Sequence, residues 1–358
     1  MAGDSVKIEY KSLLAYVTNL YAAAGLETAA AEVCAACTVQ TNLWGVDSHG
    51  ILRTPVYIER LLKKAVNPKP SISYITKEQG PIALCDGDAG MGYVVGTDIM
   101  KKTIEKAKNF GIGMIVVRNS NHFGAASLYT RMASDEGLLG IVATNVKPNI
   151  GMPGAKASVT GNNPLALSAP LGGPFPFSLD ISMSAVSGGK ILLAQKKGMK
   201  IPMDWAIDRE GKPTDDPFVG FAGIMLPTGM HKGLGLSFFI DIITGVISGG
   251  PFLQNLKSMY KDSDDPSETT HIMCVIDPSF FMTKELFIER MKQWAEMVKA
   301  TPMADPNAKQ IIPGEIEYHM EIERKEQGIS IPVELVEDFI KLEERLKLSQ
   351  SIKNILIQ

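Results

Sequence analysis

The spacing of apolar residues changes near Ile82, and that change limits the folds open to the chain. Before it, apolar positions recur at helical spacing: Leu13, Leu14, Val17, Leu20 and Tyr21 form a stripe within residues 8–24 that stops at Gly25. Thr28 can cap a second helix running towards Trp44, and a third begins near Arg53 and ends before Asn67-Pro68. Beyond Ile82, short β-branched runs (IALC, IGMIVVR, LGIVATN) alternate with helical stretches at 95–109 and 126–136, the pattern of strands buried on both faces. In PFPFSLDIS, Phe175, Phe177, Leu179 and Ile181 share one face, which predicts a half-buried strand. The apolar stretch from Leu234 to Ile247, interrupted by Asp241, is too short to span a bilayer and predicts a buried helix. Two more helices are expected at 284–299 and 332–348, the latter with Pro332 in its first turn. The whole reads as an α/β chain that is helical at its ends.

Composition removes several classes of function. A chain of 358 residues, 45% apolar and 21% charged, is globular and long enough for two cores. A net charge of −3 without long basic runs gives no support for nucleic acid or anionic membrane as the partner, and neither is expected. The start, MAGDSVKIEY, carries neither the basic nor the apolar run of a signal peptide, so the cytoplasm is the expected compartment. Four cysteines agree with a reducing environment. Cys34 and Cys37 lie one turn apart in an Ala-rich helical segment and read as core residues, since neither a redox nor a zinc context surrounds them.

Two of the five histidines sit in polar turns closed by glycine: Asp47-Ser48-His49-Gly50 and Asn119-Ser120-Asn121-His122-Phe123-Gly124. Imidazole exchanges protons near neutral pH. With Arg53 one helical turn beyond His49, they point to a site that moves a proton on an anionic substrate. Leu226-Pro227-Thr228-Gly229-Met230-His231-Lys232-Gly233-Leu234-Gly235 has the makings of a phosphate site, with glycines at a helix start and a lysine. A dinucleotide fingerprint at Gly90, Gly92 and Gly96, with Arg118 ending the next strand, is weakened by wrong spacing and by the Asp-Gly-Asp turn before it. No H-E-x-x-H, H-x-x-E-H or tight His/Asp cluster is present, so no metal is expected.

DSHGILRTPVYIERL, VVRNSNHFGAASLY, TGNNPLALSAP, SLDIS, IPMDWAIDREGKPTDDP, LPTGMHKGLGL and IIPGEIE stand in an order and spacing that resembles the malate/L-lactate dehydrogenase family of non-Rossmann type, which includes ureidoglycolate, sulfolactate and diketogulonate enzymes. The resemblance implies a non-Rossmann mixed-sheet NAD(P)-binding domain with a helical domain formed by both chain ends: an N-terminal segment 1–75, a cofactor domain 76–300 and a C-terminal segment 301–358. It also implies a homodimer that binds NAD or NADP and interconverts a 2-oxo acid and a 2-hydroxy acid, oxaloacetate/malate first and pyruvate/lactate second. Arg53 is then the carboxylate clamp, because its planar fork pairs both oxygens, and Tyr57 a second substrate contact. The proton donor is His122 or His49, with His122 preferred and Ser48 orienting substrate or nicotinamide. The matching cofactor positions are Asn145, Val146 and Lys147, Asp180, Ile181 and Ser182, His231, Lys232 and Gly233, and Pro313, Gly314 and Glu315. Lys147 stands where some NAD-preferring relatives carry an acid, and a lysine there would tolerate or favour a 2′-phosphate instead; Asp180 is equally readable as a structural capping or salt-bridged carboxylate. A non-catalytic nucleotide- or carboxylate-binding protein would not need both histidines.

Overall fold

The computed structural model describes residues 5–305 and 307–357. Met1 to Asp4, part of the stretch read above for its lack of a leader, lie outside them. Strand β1 (Ser5–Ile8) leads into α1 (Tyr10–Ala23) and α2 (Thr28–Leu43); two 3-10 turns, Asp47–His49 and Ile51–Arg53, lead into α3 (Thr54–Leu62). Then come β2 (Ser73–Tyr74), β3 (Ile82–Asp86), α4 (Gly92–Phe110), β4 (Ile112–Ser120), α5 (Ser127–Asp135), β5 (Leu139–Thr144), β6 (Leu165–Ala169) and β7 (Phe177–Ile181). An excursion holds α6 (Gly188–Lys196), β8 (Ala206–Ile207), α7 (Pro217–Ala222), β9 (Ile224–Met225) and α8 (His231–Asp241). The chain closes through β10 (Thr269–Ile276), α9 (Lys284–Lys299), α10 (Glu315–Gln327), β11 (Ile329–Pro332), α11 (Val333–Leu346) and β12 (Leu356–Ile357).

Seven strands form the central sheet in the order β2-β3-β4-β10-β5-β6-β7. Only β3 and β4 are parallel, joined by the α4 crossover, and every other pair is antiparallel. A mixed sheet with one crossover is not a doubly wound fold, and the three glycines considered for a dinucleotide have packing reasons instead. A Cβ at Gly92 would collide with the His122 and Asn121 carbonyls, one at Gly96 would meet the Tyr129 ring at 2.6 Å, and one at Gly90 would meet Pro70 at 2.7 Å. The glycines therefore let α4 and its entry lie against α5 and the His122 loop.

The two chain ends are stitched together. β1 is the middle strand of a three-stranded sheet, between β11 and β12. Above it Tyr16 and Phe339 pack edge to face, with ring centroids 5.7 Å apart, and both are fully buried. The Tyr16 hydroxyl and the Ile352 N–H both donate to Glu343 Oε1, at 2.7 and 2.6 Å. This apolar cluster runs without a break through α2 and α4 to Ile115, Val117 and Met273 of the central sheet.

Several local expectations need correction. The stretch 234–247 is not a buried helix: α8 starts at His231, passes into a π turn at Ile242–Val246, and leaves Phe239, Ile242, Val246 and Ile247 exposed. β7 is inverted relative to its apolar period, with Ser178 buried and Phe177 and Leu179 only partly so, because Ser178 faces Arg131 of α5. Thr28 is the first helical residue and not the cap. Pro332 ends β11 and caps α11 from outside the helix, where its extended ψ of 144° suits a strand end. The tail holds a third helix, α10, absent from the sequence expectation because its charged residues leave little apolar stripe. Cys34 is buried and Cys37 half-buried, and loss of solvent pushes both thiols well up, Cys37 to about 12, as core cysteines require.

Phe339 joins the two ends at one contact. Phe339→Ala is expected to lower the unfolding free energy by about 3–5 kcal/mol, the usual cost of removing a buried aromatic ring. Urea unfolding followed by circular dichroism reads this; a loss below about 1 kcal/mol would mean the ends are held elsewhere.

Candidate active site

Two turns meet at their histidine rings. In the first, Asn42 near the end of α2 donates from Nδ2 to Asp47 Oδ1 at 2.6 Å and accepts the Ile51 N–H at 2.7 Å. Gly50 is required there, since a Cβ would strike the Asn42 carboxamide. From α10, Arg324 pairs with both Asp47 oxygens, Nη1 to Oδ1 at 2.5 Å and Nη2 to Oδ2 at 3.0 Å, and also donates to the Asn42 carbonyl at 2.6 Å. The turn so held presents Ser48, His49 and Arg53. Ser48 Oγ lies 2.9 Å from His49 Nδ1, and Arg53 Nε donates to the Ser48 carbonyl at 2.7 Å.

The second turn follows β4. Asn121 donates to the carbonyls of Ala89 and Gly90 at 2.8 and 2.9 Å, and its Oδ1 accepts from the buried Arg60 at 3.1 Å. Gly124, at φ +77°, lets Tyr93 pack where a side chain would stand. His122 is thereby set beside His49, their rings stacked with centroids 5.8 Å apart and 20° between planes. Tyr57 Oη lies 2.6 Å from His122 Nδ1, and the Gly124 N–H donates to the same nitrogen at 3.3 Å. An amide N–H can only donate, so Nδ1 is the acceptor and the neutral ring carries its proton on Nε2.

Electrostatics keep both rings uncharged. Loss of solvent and then the Arg53 charge pull His49 down to about 4. His122 lies well below the ordinary value, through burial first and then His49, Arg53, His271 and Arg60. Burial pushes the Tyr57 phenol well up, so it stays protonated as a donor.

The expected cofactor positions form two groups. Val146 donates to Asn163 Oδ1 at 2.8 Å, Met183 to the Asn162 carbonyl at 2.9 Å, and Thr228 to the Met183 carbonyl at 2.9 Å, which gathers the loops bearing Asn145–Lys147, Ser182 and His231–Gly233. The second group follows β7, an edge strand: Ser178 N–H donates to the Pro313 carbonyl at 2.9 Å, and Gly314, at φ +101°, fits tightly against Pro176 and Ser178. Ile181 ends β7, exposed, and Glu315 opens α10 paired with Lys299. Asp180 accepts the Ser127 N–H at 2.8 Å, the capping role that its sequence context left open. Lys147 lies 3.5 Å from Asp262, in a segment that also covers Arg53. Among the described residues no three His, Cys, Asp or Glu side chains converge as metal ligands, and no helix is long and apolar enough to cross a membrane.

Sequence reasoning missed several neighbours. His271, fully buried in mid-β10, bonds Thr144 Oγ1 at 2.7 Å and Ser120 Oγ at 2.9 Å while its ring lies flat on Phe123, centroids 4.3 Å apart. A histidine inside the run TTHIMCVI was the available signal. Tyr93, whose hydroxyl donates to the His49 carbonyl at 3.2 Å, and Arg324 had no local signal.

A mixed sheet whose β4 loop meets the turns and helix before β2, bringing two imidazoles, a phenol and a guanidinium to one place, has the build of a small-molecule enzyme. Residues 8–339 match the family described as malate/L-lactate dehydrogenase, and the chain belongs to that family. It is 38% identical to the L-sulfolactate dehydrogenase of Methanocaldococcus jannaschii over 299 residues, 83% of this chain and 85% of that one. The structure of sulfolactate dehydrogenase from that organism superposes with a TM-score of 0.91 at 33% identity, covering 98% and 99% of the two chains. It is also similar to the malate dehydrogenase of Pyrococcus horikoshii (35% over 352 residues, 95% and 96% covered) and the ureidoglycolate dehydrogenase (NAD(+)) of Escherichia coli K12 (31% over 327 residues, 91% and 93% covered).

His49, His122 and the fully buried His271, itself pulled down to about 3 by loss of solvent, share one pH consequence. Their folded values lie below the unfolded value of about 6.5, so below that pH the unfolded chain binds more protons than the folded one and is favoured. The unfolding temperature should be level from pH 8 to 7 and fall from about pH 6.5 towards 4. Calorimetry should find proton uptake on unfolding growing across that window; no uptake at pH 5 would show that the rings are not held neutral.

Proposed function

We propose that the protein is an NAD(P)-dependent oxidoreductase interconverting a 2-oxo acid and a 2-hydroxy acid, with oxaloacetate/malate as the first pair and pyruvate/lactate the second. The observation that carries this is the convergence of Arg53, His49, His122 and Tyr57, with the two imidazoles stacked, Tyr57 on His122 and Arg53 on the turn that bears His49. The sulfolactate and malate relatives act, by their names, on 2-hydroxy acids bearing a second acidic group, which favours the first pair.

The residues suit a dinucleotide. Among the described residues, the start of α8 has no side-chain cap, Met230 before it takes φ +54°, and a Cβ at Gly235 would meet nothing within 4 Å. The His231 N–H and the Lys232 ammonium would hold a phosphate, the next three N–H groups being taken by the carbonyls of Gly229, Thr228 and Met230. When bound, the nicotinamide supplies or accepts the hydride. The acidic, basic or neutral character of the ribose site does not follow from Lys147 alone, because its partner Asp262 offsets its charge, so both NAD and NADP are retained.

The chain's own groups then do the following. Arg53 binds the carboxylate through its Nη atoms, since Nε is engaged by Ser48. The bound anion offsets the guanidinium charge that helps keep the rings neutral, so both imidazoles take up protons more readily. The imidazolium of His122 gives its Nε2 proton to the oxygen of the 2-oxo group as hydride arrives, while Nδ1–H rests on the Tyr57 oxygen. His49, held by Ser48, orients the substrate. A homodimer is supported by the exposed apolar run Phe239, Ile242, Val246 and Ile247, a natural face for a second copy. We place the protein in the cytoplasm, where its four thiols stay reduced.

The test is nicotinamide absorbance with oxaloacetate, 3-sulfopyruvate, pyruvate and oxalurate, each with NADH and NADPH; no oxidation with any of them overturns the proposal. In the active pair, His122→Ala should lower kcat by about 10²–10⁴-fold, the range of general acid catalysis, and remove one limb of the pH profile. His49→Ala should act chiefly on KM, and the reverse pattern would transfer the proton to His49.

A further inference from the structure

Segment 257–268 (KSMYKDSDDPSE) lies across Arg53 and is tied down from beneath. Arg60, 2% exposed, donates to the carbonyls of Asp262, Ser263 and Asp265 at 3.4, 3.5 and 2.9 Å and to Ser267 Oγ at 2.9 Å. Lys63 pairs with Asp264 at 2.6 Å, Lys147 with Asp262 at 3.5 Å, and Lys257 with Asp265 and Glu268 at 3.4 and 3.9 Å. So held, the segment sets Tyr260 on the clamp: its ring centroid is 5.5 Å from the Arg53 guanidinium carbon and its hydroxyl accepts from Nη1.

Tyr260 is 54% exposed, and its side chain has no other polar partner among the described residues. It therefore is not a core residue held by packing. A phenol that accepts one hydrogen bond keeps its own proton to donate. Arg53 has five N–H hydrogens, of which one goes to Ser48 and one to Tyr260, so a bound carboxylate takes those that remain and lies beside the phenol. The four carboxylates of the segment are each paired with a lysine, whereas Lys261, next to Tyr260, has no acidic partner among the described residues. A second anionic group arriving here meets a proton donor and no bare negative charge.

We infer that Tyr260 is a specificity-determining residue, whose hydroxyl, oriented by Arg53, donates to the second acidic group of a 2-oxo or 2-hydroxy diacid. The inference rests on the function proposed above and adds to it the group that separates diacids from monoacids. A methyl group, as in pyruvate, offers the hydroxyl nothing to bond, whereas a carboxylate or sulfonate does.

Tyr260→Phe is the test, because it keeps the ring on the guanidinium and removes only the hydroxyl. Efficiencies with oxaloacetate, 3-sulfopyruvate and pyruvate are measured for both proteins, beside a thermal melt to confirm folding. The ratio of diacid to pyruvate efficiency should fall about tenfold through the diacid KM, the loss of one hydrogen bond to a charged acceptor. An equal loss with all three acids would make Tyr260 a mere support for Arg53 and overturn the inference, as would an unchanged ratio or a wild-type protein active on pyruvate alone. In each of those cases the oxidoreductase reading stands. A wild-type protein inactive with every acid overturns that reading and the inference together, and the wild-type arm alone reveals it.

Discussion

The site depends on a carboxylate that takes no part in the chemistry. Asp47 receives both arms of Arg324 and the Asn42 amide, and through them the turn carrying Ser48, His49 and Arg53 is fixed to the end of α2 and the face of α10. The pair is half sheltered, with Arg324 largely covered, so it outweighs an ordinary surface ion pair. Removing either partner would strand the other beside Asn42 and release the turn. His122 is held in its own loop, which Asn121 and Gly92 seat on the entry to α4, and the two turns are then tied to each other by Arg60 on Asn121, Tyr93 on the His49 carbonyl and Tyr57 on His122.

Charge in the site is arranged to wait for an anion. Arg53 and Arg60 stand near two neutral imidazoles, and burial and positive potential act in the same direction on both rings. Under the proposed reaction, a site with this excess of positive charge would attract a carboxylate and take up a proton as it arrives. Binding and readiness for proton transfer would then be one event, which a pocket with pre-formed imidazolium would have to reach against repulsion between the two rings.

Much of this was readable from the chain, and the failures have physical reasons. The strands at 82, 112 and 139, the helix at 284–299, and the pairing of the DSHG and NSNHFG turns were legible because local period and turn chemistry suffice for them. Family membership was legible through collinear motifs. The inverted face of β7 was not, because Ser178 answers to Arg131 on another element. The stretch 234–247 reads as buried in sequence because apolar content cannot tell a core from an exposed apolar face. Arg324, His271 and Tyr260 act at sequence separations where local pattern carries no information.

The three-stranded sheet at the chain ends sets the order in which the molecule can be assembled. β1 can be paired only after residues more than three hundred positions later exist, and Tyr16 and Glu343 stand 327 residues apart. The helices α1 to α3 therefore emerge during synthesis with their covering surface still unmade, and Asp47 without Arg324. Closing so long a loop is slow, so the nascent chain carries these N-terminal helices partly uncovered for most of its translation. The last elements made act as the latch, and a ribosome that stalls before α10 leaves a protein with its sheet but no organised site.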